Sequence, residues 1–155
     1  MDLSKAKVCI PTSSGGHLTH MLLLEPILSR TQERFWVTFD KDDSNARLTG
    51  ERVYHCHYPT NRNVLNLIRN TALAWRVLRK ERPDLIISSG AAVAVPFFLI
   101  GKMLGAKCVY VEVFDRVDRP TMTGRMLNGV ADLFVVQWPE QLEVYKNAVD
   151  LGSIF

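Results

Sequence analysis

Cysteine is scarce in this chain. Its 155 residues include only Cys9, Cys56 and Cys108, with no CxxC pair, which excludes a disulfide framework and the common zinc spacings. All three fall in apolar, strand-like runs, so they read as reduced core residues of a cytosolic protein, and no metal site is expected. Long apolar runs are missing too. The longest, residues 91–101, is followed by Lys102 and falls well short of the roughly 20 residues of a spanning helix. A strand-like stretch beginning by residue 7 leaves no room for a signal peptide or N-terminal anchor, and neither is expected. Excess charge of one sign is also lacking. Nineteen basic against 16 acidic residues leave +3, too little to argue for nucleic acid, although anionic lipid headgroups remain open as partners. The chain has no repeat, linker or low-complexity tract. It has neither of the phosphate-binding signatures G-x-x-x-x-G-K-[ST] and G-x-G-x-x-G.

What is present is a regular alternation. A hydrophobic content of 47% in this length is ample for a single core, so 1–155 reads as one layered domain. Strands are expected at 7–10, 34–40, 51–57, 84–88, 107–112 and 132–137. Helices are expected at 17–30, 63–81, 90–104, near 124–129 and at 139–147, with a helical turn within 40–50. Val64, Ile68, Thr71, Trp75 and Leu78 lie along one stripe of the longest helix, and Arg82-Pro83 stops it. Six strands separated by helices predict an α/β, doubly wound, mostly parallel (Rossmann-like) sheet of order 3-2-1-4-5-6.

In that order the topology switches between strands 1 and 4, and ligands bind outside their carboxyl ends. Two glycine-bearing loops meet there. The first, Ser13-Ser14-Gly15-Gly16-His17, joins a strand to a helix, whose first N–H groups are unpaired and lie at its positive end. The second is Ser88-Ser89-Gly90. A phosphate fits such a place, and His17 could add hydrogen bonding or proton transfer near physiological pH. The next strand end supplies Glu112, Asp115 and Arg116. His20, one turn beyond His17, reads as a surface histidine.

Several segments carry a family resemblance. Ser13-Ser14-Gly15-Gly16-His17-Leu18, Glu112-Val113-Phe114-Asp115-Arg116, Thr123-Gly124-Arg125 and the run from Ala131 to Gln137-Trp138-Pro139-Glu140 resemble bacterial capsule and exopolysaccharide glycosyltransferase accessory subunits. These are related to the membrane-anchor subunit of the eukaryotic dolichol-linked N-acetylglucosaminyltransferase. The Gly-Gly-His alone is shared with the family that makes the peptidoglycan lipid precursor, whereas the Gln-Trp-Pro-Glu ending is more specific. The resemblance implies the N-terminal, acceptor-side half of a GT-B glycosyltransferase, with the UDP-sugar donor bound by a separate partner chain. It also implies a polyprenyl-pyrophosphate-linked sugar as acceptor, no cofactor in this chain, and no activity without the partner. Ser13, Ser14, Gly15, Gly16, Ser89 and Gly90 would then cradle phosphate and Arg116 neutralise it. His17 or Glu112 would be the general base that takes the acceptor hydroxyl's proton. The chain departs from the eukaryotic pattern in having His17-Leu18-Thr19-His20 and in having Asp115 before Arg116.

Length points the same way, because a GT-B site lies between two doubly wound domains and this chain accounts for one. The expected location is cytoplasmic, peripheral on the inner face of the cell membrane. Two elements are candidates for membrane contact: the basic line Arg62, Arg69 and Arg76 on the longest helix, and the apolar helix bearing Phe97 and Phe98. Trp138, Ile154 and Phe155 are candidates for docking on the partner, with packing of the terminal Ile154-Phe155 back on their own domain as the alternative. Two other function classes compete. One is a free-standing enzyme acting on a phosphate ester or nucleotide, and the other is a non-catalytic scaffold for a complete transferase.

Overall fold

The computed structural model describes residues 1–60 and 63–154. Seven strands form one parallel sheet: β1 (Lys7–Pro11), β2 (Glu33–Phe39), β3 (Val53–Cys56), β4 (Leu85–Ser88), β5 (Lys107–Val111), β6 (Leu133–Val136) and β7 (Ala148–Asp150). Their order is β3-β2-β1-β4-β5-β6-β7. The topology switches between β1 and β4, as the alternating pattern predicts. The helices are α1 (Gly16–Leu23), α2 (Glu25–Leu28), α3 (Asp42–Arg47), α4 (Val64–Glu81), α5 (Ala94–Met103), α6 (Met122–Leu127) and α7 (Gln141–Val144).

The central strands are apolar on both faces because both are covered. Side chains alternate between two cores: Cys9, Phe35, Val37, Ile86, Cys108 and Tyr110 meet α4 and α5 on one side. Val8, Ile10, Trp36, Leu85, Ile87 and Val111 meet α1 and α2 on the other. The three cysteines are free and buried.

Several elements differ from the sequence reading. The expected 17–30 helix is broken at Leu24, because Pro26 in the first turn of α2 has no N–H to continue α1. Helix α5 begins four residues after Gly90, and α7 is a single turn. The seventh strand, β7, is three residues long and carries too little pattern to be read from sequence. The stripe of α4 largely faces solvent: Val64, Ile68, Thr71 and Trp75 are exposed, while the buried face is Asn66, Asn70, Leu73, Ala74, Val77, Leu78 and Glu81. Asn70 faces inward because its side chain accepts from the His57 amide at 2.7 Å and donates to the His57 carbonyl at 3.0 Å, tying down the chain after β3.

The expectation that Phe97 and Phe98 touch a membrane is corrected. Both are 0% exposed and belong to the core between α5 and the sheet. A helix apolar all round cannot reveal from sequence which side faces inward. For Ile154 the structure selects the alternative to partner docking, since it packs back on its own domain. Its amide donates to Gln137 Oε1 at 3.0 Å and its side chain lies against the α1-side core. Arg62 and Phe155 lie outside the described residues.

Candidate functional site

The site is built where β1, β4 and β5 end. Three loops converge there, held by side chains that satisfy backbone groups no ladder reaches. After β4, Ser88 donates to the Pro11 carbonyl at 2.5 Å and accepts from the Gly90 amide at 3.0 Å, joining the ends of β4 and β1. Ser89 and His17 are tied reciprocally. The Ser89 hydroxyl donates to the His17 carbonyl, and His17 Nδ1 meets the Ser89 carbonyl, each at 3.1 Å. Gly90, with φ +115°, leaves no room for a side chain: a Cβ would sit 2.8 Å from the Tyr110 hydroxyl and 3.3 Å from the His17 ring.

These bonds set the chemistry of His17. Only a protonated Nδ1 can donate to a carbonyl, so the neutral ring carries its lone pair on Nε2. Burial lowers its pKa from the usual histidine value, while the Ser89 carbonyl and the charges of Glu112 and Asp115 oppose that shift. His17 is therefore a neutral base near pH 7. It lines a cleft of 240 Å³ with Gly16, His20, Val113, Asp115, Arg116 and Thr121. His20 is buried beside it rather than on the surface. Its pKa is also lowered, by burial and then by His17, with Asp115 opposing. The three-residue spacing that stacks His20 under His17 was the available signal.

The structure does not give Glu112 the position of a base. The residue is wholly buried, and its carboxylate accepts from the Val113 amide at 2.9 Å, from Thr121 Oγ1 at 3.0 Å and from the Tyr145 hydroxyl. Gly124 is required beside it, because any Cβ there would overlap the carboxylate and the Tyr145 hydroxyl. Glu112 thus ties the end of β5 to α6 and to the chain after α7. Ser89 and Gly90 are likewise buried and hold the loops together rather than face a ligand. Gly15, with φ +79°, caps α1, but its amide already donates to Asp43 of α3 at 2.9 Å. Ser13 and Ser14 are half-buried, Gly16 is exposed at the start of α1, and Arg116 is exposed on the cleft's rim.

The role of the Gln-Trp segment after β6 is visible only in three dimensions. Gln137 donates to the Glu112 carbonyl at 2.8 Å, Trp138 Nε1 to the Phe114 carbonyl at 2.8 Å, and Gln141 to the Arg116 carbonyl at 2.5 Å. Three side chains thus clamp alternate carbonyls of the segment that presents Asp115 and Arg116. Trp138, expected to meet a partner, instead lies half-buried against Phe114. A larger cleft of 680 Å³, lined in part by Arg79, Arg82 and Lys107, opens at the opposite ends of the strands, away from this chemistry.

The parallel sheet, with its imidazole and arginine at the topological switch point, has close counterparts in fold among solved structures. Similar structures include Acinetobacter baumannii MurG, with a TM-score of 0.72 at 19% identity, covering 87% of this chain and 42% of that one. Another is a S. aureus MnaA–UDP co-structure, with a TM-score of 0.75 at 12% identity, covering 96% of this chain and 45% of that one. The chain spans less than half of each, and at these identities the likeness is one of fold: the Rossmann-like half shared by GT-B glycosyltransferases and epimerases. The family described as "Oligosaccharide biosynthesis protein Alg14 like" matches residues 8–154, and the chain belongs to it. The "UDP-N-acetylglucosamine transferase subunit ALG14" of Homo sapiens is 28% identical over 177 residues, covering 95% of this chain and 82% of the human protein. The mouse protein of the same name is 30% identical over 180 residues, covering 96% and 82%. These relatives are eukaryotic, so the capsule and exopolysaccharide setting suggested by the motifs finds no support in them.

Proposed function

We propose that this chain is the acceptor-side, non-donor subunit of a two-chain UDP-sugar glycosyltransferase that extends a polyprenyl-pyrophosphate-linked sugar, and that it is inactive alone. UDP-N-acetylglucosamine is the donor to test first, since relatives carry that name. The observation that carries the reading is the half-site itself. His17, with Nδ1 engaged by the Ser89 carbonyl, lines a cleft of only 240 Å³, below the about 300–1,000 Å³ of pockets that enclose a whole ligand. A second domain facing it would complete the site.

In this reading Gly16 and Arg116 meet the acceptor's pyrophosphate. His17 Nε2 takes the acceptor hydroxyl's proton as that oxygen bonds to the anomeric carbon, and the carbon–oxygen bond to UDP breaks on the partner's side. Asp115 sits where the resulting imidazolium gains a favourable charge. The chain works at the cytoplasmic face of a membrane. None of its described helices is long and apolar enough to cross one, and the contact proposed for this domain is a peripheral one.

The test is transfer from a panel of UDP-sugars to a polyprenyl-linked acceptor by this chain alone, by the donor subunit alone, and by both. Activity is expected only from the pair and is lost in His17→Ala while the two chains still associate. Full activity from the donor subunit alone would make this chain a scaffold, and turnover by this chain alone would make it a free-standing enzyme.

A further inference from the structure

Outside the cleft, the ground between α4 and α5 exposes a group of large apolar side chains. Val64 is 70% exposed, Ile68 61% and Met103 76%, with Leu67, Trp75 and Leu99 among them. Single exposed apolar residues are ordinary, but a contiguous field of them marks an interaction surface. Two grooves of 660 and 640 Å³ run over it and share Leu67, Thr71 and Ile100. Beside them, joined through Ala72, lies a 370 Å³ niche lined by His57, Arg69 and Arg76.

The exposed charges of α4, which borders this field, have one sign. On α4 the exposed charged residues are Arg69, Arg76, Arg79 and Lys80. Its one acid, Glu81, is buried and paired with Lys7 and Arg52. The guanidinium of Arg79 lies 5.4 Å from the centre of the Trp75 ring, which places an aromatic and a cation together at the edge of the apolar field, the pairing found at headgroup level. An anionic bilayer meets apolar side chains bordered by cations, and the exposed charges of α4 are complementary to it.

We infer that the α4–α5 face is a docking surface for anionic phospholipid. Headgroup phosphates enter the niche between Arg69 and Arg76, and acyl chains lie over Ile68, Leu67 and Met103. This deepens the peripheral-membrane part of the reading above and rests on it. The placement has a consequence for the site. The loop after β4 runs from Gly90, packed beside His17, to Ala92 on the groove, so a substrate held in the bilayer would meet the cleft at its membrane-side wall.

The experiment is co-sedimentation of the full chain, without donor subunit or sugar, with phosphatidylcholine vesicles and with vesicles containing about one third phosphatidylglycerol. Binding is expected to the anionic vesicles only and to weaken with added salt. The double substitution Arg69→Ala, Arg76→Ala is expected to reduce it about thirty-fold. Ile68→Asp, at an exposed position that leaves folding intact, is expected to reduce it as well, with an unchanged circular-dichroism melt. Equal binding to both vesicle types, binding to neither, or binding indifferent to these substitutions would overturn the proposal. So would retention of vesicle binding by Ile68→Asp with loss of association with the donor subunit, which would assign the face to that chain. Because no transfer is measured, failure here leaves the transferase reading to its own assay, and failure there leaves the lipid surface standing.

Discussion

Glu112→Leu tests whether the buried carboxylate organises the site rather than acting in it. Leucine has nearly the same size but accepts no hydrogen bond, so the Val113 amide and the Thr121 and Tyr145 hydroxyls would each lose an acceptor. A buried donor left without a partner costs about 1–3 kcal/mol. The Thr121 hydroxyl can turn to the Tyr110 hydroxyl, 3.2 Å away, but the Val113 amide has no such freedom. Partial recovery by the Thr121 hydroxyl places the net loss at about 3–5 kcal/mol. For a chain of this size each kcal/mol lowers Tm by about 2–4 °C, so a fall of about 6–20 °C is expected by circular dichroism at neutral pH. Glu112→Gln keeps the shape and one acceptor oxygen and should lose only about 1–2 kcal/mol. The opposing effect is the cost of burying the carboxylate itself, which an apolar residue removes. A Glu112→Leu variant melting within about 2 °C of the parent would show that this cost cancels the network and would refute the reasoning.

Other perturbations test the remaining parts of the site. Because burial lowers the His17 pKa, the acidic limb of the pH profile for transfer by the two-chain complex should inflect below the ordinary value of about 6.5, and His17→Gln should abolish that limb along with transfer. The same shift has a stability consequence. The unfolded chain takes up the proton first as pH falls, so stability is unaffected above about 6.5, declines as pH drops toward the folded pKa and then levels off; urea midpoints at pH 7.5 and 5 in the parent and in His17→Gln would isolate the contribution. Trp138→Phe removes the donor to the Phe114 carbonyl and should cost about 1 kcal/mol. It should also speed tryptic cleavage after Arg116, and cleavage at the parent rate would count against the clamp. Gly124→Ala forces a methyl group into the Glu112 carboxylate and the Tyr145 hydroxyl and should destabilise by about 1–3 kcal/mol, read as a lower Tm.

Much of the architecture was legible in the chain itself. Val- and Ile-rich runs alternating with helical periods admit few topologies once crossovers must be right-handed. The strand order then brings the Gly-Gly-His loop beside the Ser-Ser-Gly loop with no further information. The breaks at Arg82-Pro83 and the cap at Gly15 are local chemistry and could be read locally. β7 could not, because three residues hold no periodicity, and α5 presented apolar side chains in every direction. Phe97 and Phe98 therefore looked as available to a membrane as Leu99 and Met103, which are the exposed ones.

The same division runs through the site. Sequence spacing placed His17, Glu112, Asp115 and Arg116 at neighbouring strand ends, since topology alone sets which ends are adjacent. Whether each side chain turns inward or outward there depends on partners far away in the chain. Thr121 and Tyr145 draw the Glu112 carboxylate into the core, Asp43 takes the Gly15 amide, and Gln137, Trp138 and Gln141 hold the Arg116 loop by its carbonyls. The sequence by itself determined the alternation of strands and helices, the switch point and the residue types gathered there, because these follow from local periodicity and connection rules. Only the tertiary structure decided that His17 faces the cleft while Glu112 is a buried tie, because a side chain's direction is settled by which long-range hydrogen bonds leave no buried polar group unpaired.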